Sequence, residues 1–182
     1  MTFSPAQLRR LLAGHDVLTI LPIEPQPHHF VWKFEQRKDG TWQGYERDSD
    51  RNMTRGLPIP CPYPVGTVVP VREEWAINGT GEGGTLSNYT YDIDILYSDN
   101  VEACWQVPRS EYEIYDEMFS REDGDEAVMR PANTMPDWAI RLHAIVTAVT
   151  AKRACEATEE AMATGINPQA WCWFIVWKGV RG

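Results

Sequence analysis

Trp138-Ala139-Ile140-Arg141-Leu142-His143-Ala144-Ile145-Val146-Thr147-Ala148-Val149-Thr150-Ala151-Lys152 decides the fold class. Its alternation is imperfect, but Ile, Val, Thr and Ala dominate, and β-branched side chains suit a pleated, half-buried surface, so the stretch reads as one long strand. Toward the C-terminus, Trp171–Trp177 reads as an aromatic strand whose Trp171, Trp173 and Trp177 share a core-facing side. Toward the N-terminus, Tyr89–Tyr97 places Tyr89, Tyr91, Ile93 and Ile95 on one face and Thr90, Asp92 and Asp94 on the other. Further strands are expected within Val65–Ile77, at Gly40–Arg47, at His29–Glu35 and at Val17–Ile23, with Lys38-Asp39-Gly40 as a hairpin turn. Gly79–Gly84, rich in glycine, reads as a loop. Helices are few. Ser4-Pro5-Ala6-Gln7 has the residues of a capping box, Leu8, Leu11 and Leu12 follow on one side, and Gly14 suits the stop. Thr158–Ala163 reads as a second short helix stopped by Gly165. Many short strands with small flanking helices predict an α+β class and a small barrel-like sheet, with the strands containing Val71, Trp138 and Phe174 sharing one core.

A chain of 182 residues, 43% hydrophobic, is expected to form one domain over 1–182. Glu111–Glu126 carries eight acidic residues and one basic one, which predicts an exposed insertion within 109–130. A solvated loop is the first expectation there; an amphipathic turn through Tyr115, Met118 and Phe119 is the alternative. No apolar run approaches the ~20 residues that cross a bilayer, and the first residues lack a basic segment followed by an apolar one, so the expectation is a cytoplasmic protein without membrane contact. Cys61, Cys104, Cys155 and Cys172 form no CxxC pair, and His28 and His29 would point to opposite faces of a strand, so neither a metal nor another cofactor is expected. The net charge of −9 argues against binding many phosphates non-specifically, and leaves room for a small basic site.

Three segments, in order, carry a family resemblance. They are Leu11–Gly14 through Pro25-Gln26-Pro27, Cys61-Pro62-Tyr63 through Val71-Arg72-Glu73-Glu74-Trp75, and Arg130-Pro131 through Met135-Pro136-Asp137-Trp138-Ala139-Ile140-Arg141-Leu142. The last runs on to Thr158–Ile166. Together they resemble the ASCH proteins of phages and prophages. The resemblance implies a PUA-like β-barrel with short flanking helices, a cleft near the first helix, and recognition of RNA, another nucleic acid or a modified nucleoside inside a phage-infected bacterial cell.

Some ASCH members are similar to an acetylcytidine amidohydrolase, in which a Lys, a Thr three residues later and a Glu before a helix-ending Gly do the chemistry. Amide hydrolysis needs an activated nucleophile and a proton carrier, which such a set supplies. In this chain Asp16 stands at the Lys position, Thr164 at the Glu position, Leu21 where Arg is common, and only Thr19 is retained. The substitutions predict a non-catalytic protein, a pseudoenzyme. By the same resemblance Arg72, Glu73 and Trp75 line the cleft, with Trp75 stacking on a base; an internal ion pair and a core Trp is the competing reading. Thr19, Asp16, Arg72, Glu73, Trp75 and Thr164 are therefore the candidate ligand-binding residues. Two other functions stay open: an acidic protein that engages a host nucleic-acid-binding protein through Glu111 to Glu126, and an amidohydrolase with relocated catalytic groups.

Overall fold

The computed structural model describes residues 3–27, 31–47, 53–81, 90–121, 127–156 and 165–181. In chain order these form α1 (Pro5–Leu12), β1 (Val17–Pro22), β2 (Val31–Gln36), β3 (Trp42–Arg47), β4 (Met53–Ile59), β5 (Val68–Pro70), β6 (Trp75–Gly81), β7 (Thr90–Tyr97), β8 (Glu102–Pro108), α2 (Arg109–Arg121), β9 (Leu142–Arg153) and β10 (Trp171–Arg181). Short 3₁₀ turns cover Ala132–Thr134, Asp137–Ala139 and Ala154–Glu156. Helix α1 starts as its capping box predicts: the Gln7 amide donates to Ser4 Oγ at 3.3 Å and the Ser4 amide to Gln7 Oε1 at 2.9 Å. It stops at Gly14, whose φ of 75° only glycine adopts without strain, while the His15 amide returns to the Arg10 carbonyl.

Two compact units share the chain, and their segments alternate along the sequence. One unit comprises 1–9, 70–143 and 181–182; the other comprises 10–69 and 144–180. The first holds the antiparallel sheet β6-β7-β8 and α2. Its core contains Trp75, Ile77, Ile93, Ile95, Tyr97, Val107 and Met135, and the half-buried Tyr112, Tyr115, Met118 and Phe119 of α2 pack on it. The second holds the antiparallel sheet β2-β3-β4 and, strand ends apart, the sheet β1-β10-β9-β5. Within it β1 pairs with β10 from Val17↔Trp177 to Pro22↔Cys172. All of Trp171 to Ile175 and Trp177 are buried, so both faces of that strand are covered.

The class is α+β: mostly antiparallel sheets with two α-helices among the described residues. None of the three sheets closes on itself among the described residues. Several sequence expectations change. The strand expected from Trp138 begins at Leu142, because Pro136 leads into a 3₁₀ turn that carries Trp138. Trp138 packs on the first unit's core, and Phe174 packs with Ala154 and Cys172 in the second. Residues 79–81, expected in a loop, continue β6. Strands β4 and β8 have no counterpart among the strands expected from the sequence.

The solvated loop expected over Glu111–Glu126 is helical as far as Arg121. Tyr112, Tyr115 and Phe119 recur at three- and four-residue spacing, and burying one such apolar stripe outweighs the exposed carboxylates opposite it. The remainder, 122–126, lies outside the described residues, as do the expected helix at Thr158–Ala163, Thr164 and His28-His29.

Candidate functional site

The second and third resembling segments meet in the first unit. The Trp75 and Arg130 backbones bridge each other, with the Trp75 amide donating to the Arg130 carbonyl at 3.2 Å. Glu73, 2% exposed, accepts two hydrogen bonds from Arg141: Nε to Oε1 at 2.9 Å and Nη2 to Oε2 at 3.0 Å. Arg141 Nη2 also donates to Asp99 Oδ1 at 2.6 Å, and its guanidinium stacks on Tyr97 at 4.0 Å. Burial works against the Arg141 charge, but its bonds to Glu73 and Asp99 outweigh that and hold it above its ordinary range. The Tyr97 hydroxyl extends the network, donating to the Ala139 carbonyl at 2.8 Å and accepting from Trp105 Nε1 at 2.7 Å.

This arrangement is an internal clamp. Both Glu73 oxygens are occupied, and Arg72 spends its guanidinium on the Met135 carbonyl and the Asp137 carboxylate. Trp75 is 1% exposed, donates to Thr134 Oγ1 at 3.1 Å and lies edge-to-face with Tyr115, so its ring is beyond the reach of a solvent-borne base.

In the second unit Thr19 lies buried on β1, and its hydroxyl accepts the Trp177 indole N–H at 2.7 Å. Asp16 is exposed just before that strand, and its carbonyl accepts from Arg10 Nη2 at 3.1 Å. Thr164 lies outside the described residues, and the Thr19 hydroxyl is taken up by a tryptophan. Among the described residues no group of three His, Cys, Asp or Glu is arranged to hold a metal ion. Cys104 is the exposed thiol with close acidic neighbours. Lost hydration on its sheet side, then the hydrogen bond to Asp94, push its pKa up to about 11, so the unreactive protonated form prevails at neutral pH. Alkylation of Cys104 by iodoacetamide at pH 8 should accordingly be slower than in Asp94→Asn protein; equal rates, read by peptide mass spectrometry, would remove the carboxylate's role.

A different surface of the second unit has the composition of a binding site. The registers Lys33↔Tyr45↔Arg55 and Glu35↔Gln43↔Pro58 put these side chains on one face of the sheet β2-β3-β4. The opposite face is the packed one: Phe34 meets Trp171 edge-on at 4.8 Å and Trp42 meets Trp173 at 5.6 Å. A register shift between Val31 and Lys33 breaks the alternation and turns Trp32 outward, 45% exposed. Lys33 Nζ stands 5.0 Å from the Trp32 ring and 4.8 Å from the Tyr45 ring, and the Arg47 guanidinium 5.7 Å from Trp32. Beside them Glu35, Gln36, Arg37, Gln43, Tyr45, Arg55 and Pro58 line an open cavity of about 400 Å³. The Gln43 amide is fixed from behind by the Gly44 and Gly56 carbonyls.

The electrostatics of this face run against those of the protein. Lys33, Arg37, Arg47 and Arg55 outnumber the nearby Glu35 and Asp39, the latter 3.8 Å from Arg37. Among the described residues neither Arg47 nor Arg55 forms an ion pair. The Glu35 carboxyl is held below its ordinary value by hydrogen bonds from Lys33 first and Tyr45 second, with Lys33 and Arg55 charges adding to them. The sequence pattern conceals this face because its cations are dispersed among carboxylates from 31 to 59 and converge only after two hairpin registers are set.

No family model, curated protein or solved structure matches the chain.

Proposed function

We propose that the chain is a nucleic-acid recognition protein without catalytic activity, and that the outer face of β2-β3-β4 takes a single-stranded segment. One observation carries this reading: on a protein of net charge −9, Lys33 and Arg47 lie over the exposed Trp32, Lys33 also over the half-buried Tyr45, and Arg37 and Arg55 line the cavity beside them. Cations track the phosphate backbone, and aromatic rings accept unstacked bases of any sequence, so the pair of features suits a single strand better than a duplex. The finer assignment, a PUA-like ASCH protein acting in the cytoplasm of a phage-infected bacterium, rests on the resemblance of the three sequence segments alone. No helix among the described residues is long and apolar enough to cross a membrane.

Fluorescence anisotropy with a short labelled oligouridylate tests the reading. Log affinity should fall with log salt, with a slope of about −0.7 for each phosphate neutralised. Lys33→Ala and Arg55→Ala should each reduce that slope by about one such increment, and Trp32→Ala should weaken binding by about 1–3 kcal/mol at any salt. Salt-independent binding, or variants that bind like the parent, would reject it. A second reading, docking on a host protein, is favoured by the exposed Glu113 and Glu117 of α2, and predicts binding that ignores all three substitutions.

A further inference from the structure

The cavity on the outer face of β2-β3-β4 already contains an anion of its own. Glu35 lies near the end of β2, its carboxylate takes the Lys33 ammonium, the Tyr45 hydroxyl lies beside it, and Arg55, across β3 from Lys33, lines the same cavity. A carboxylate and a phosphate are both oxygen anions that only accept hydrogen bonds, and the groups that gather round one suit the other. We propose that this cavity is a phosphate subsite, and that Glu35 is the intramolecular anion that fills it until a phosphate displaces it. The proposal rests on the nucleic-acid reading only for the source of the phosphate.

Three features make displacement workable. The Glu35 side chain is 52% exposed, so it can swing to water without unpacking the sheet. Lys33 is long and already divided between Trp32, Tyr45 and Glu35, so releasing the carboxylate frees its donors for a ligand without loss of its ring contacts. Arg55, within β4, and Arg37, just past β2, line the cavity from different segments, and guanidinium groups can hold two phosphate oxygens at once. Glu35 then acts as a competitor at effectively constant local concentration. It keeps the affinity for any single phosphate low, and it disfavours weak anions more than a strand that engages Trp32 and Arg47 as well.

Glu35→Gln is the test, since glutamine keeps the size and removes the charge. Removing one negative charge a few ångströms from the bound phosphate, in a largely solvated cavity, should tighten oligouridylate binding about three- to tenfold at low salt and steepen its salt dependence. Adding Arg55→Ala to the Glu35→Gln protein should cancel the gain. Unchanged or weaker binding by Glu35→Gln would overturn the proposal, the weaker result meaning that Glu35 accepts hydrogen bonds from a base. Inorganic phosphate, titrated while amide resonances of Lys33 and Tyr45 are followed by NMR, separates the two ideas. If neither protein binds the oligonucleotide but Glu35→Gln alone responds to phosphate, the subsite stands and the nucleic-acid reading falls. If the parent binds the oligonucleotide while both proteins respond equally to phosphate, the nucleic-acid reading stands and the proposal of Glu35 as the resident anion falls.

Discussion

Arg141→Ala should destabilise the protein by about 3–5 kcal/mol, the effect expected when one partner of a buried ion pair is removed. Glu73 would stay behind as a carboxylate 2% exposed, keeping only the Ser98 hydroxyl at 3.3 Å, and Asp99 would lose its 2.6 Å contact. The loss should appear as a lower urea midpoint with an unchanged slope. Glu73→Leu combined with Arg141→Met should recover most of it, because the pair's attraction is set against the cost of dehydrating both charges. If Arg141→Ala unfolds at the parental midpoint, the cluster is an ornament of the surface and not a clamp. The comparison matters for function, because a ligand-contacting pair would lose binding before it lost stability.

Trp177→Ala should cost about 3–5 kcal/mol as a buried large-to-small change. The ring is fully buried, meets Tyr63 edge-on at 5.4 Å and gives its N–H to Thr19. Thr19→Val keeps the shape and removes the acceptor of a buried hydrogen bond, at a cost of about 1–3 kcal/mol. Thermal melts of the two variants check this. A Thr19→Val protein with parental stability would show that the hydroxyl is held for some purpose other than fixing Trp177.

How far the sequence can be read depends on the range of the forces involved. The capping box of α1, the turn at Lys38-Asp39-Gly40 and the buried aromatic strand at Trp171–Trp177 are set by neighbours within a few residues, and each forms as expected. In the turn, Gly40 takes φ 82° and Asp39 accepts from the Thr41 amide and hydroxyl. Strand β4 is hard to see in the sequence because Gly56 and Pro58 interrupt its pattern, features that an edge strand tolerates. Helix α2 is lost to a reading that weighs charge density above the spacing of Tyr112, Tyr115 and Phe119. An internal ion pair at Glu73 is legible beforehand, but its partner Arg141 is 68 residues away and no local pattern joins the two. The cationic face depends on a register shift at Val31/Lys33, which no alternation count reveals.

The alternation of the two units along the chain also constrains how the protein is made. One unit draws on 10–69 and 144–180, and the other on 70–143 together with short segments at both ends. During synthesis β1 emerges before β2 to β9, yet its hydrogen-bonding partner β10 emerges only after all of them. Until then β1 exposes an unpaired edge, and the Trp177 indole that will occupy the Thr19 hydroxyl does not yet exist. Hairpins β2-β3-β4 and β6-β7-β8, whose contacts are local, are free to form first, so the cationic face of β2-β3-β4 can precede the pairing of β1 with β10.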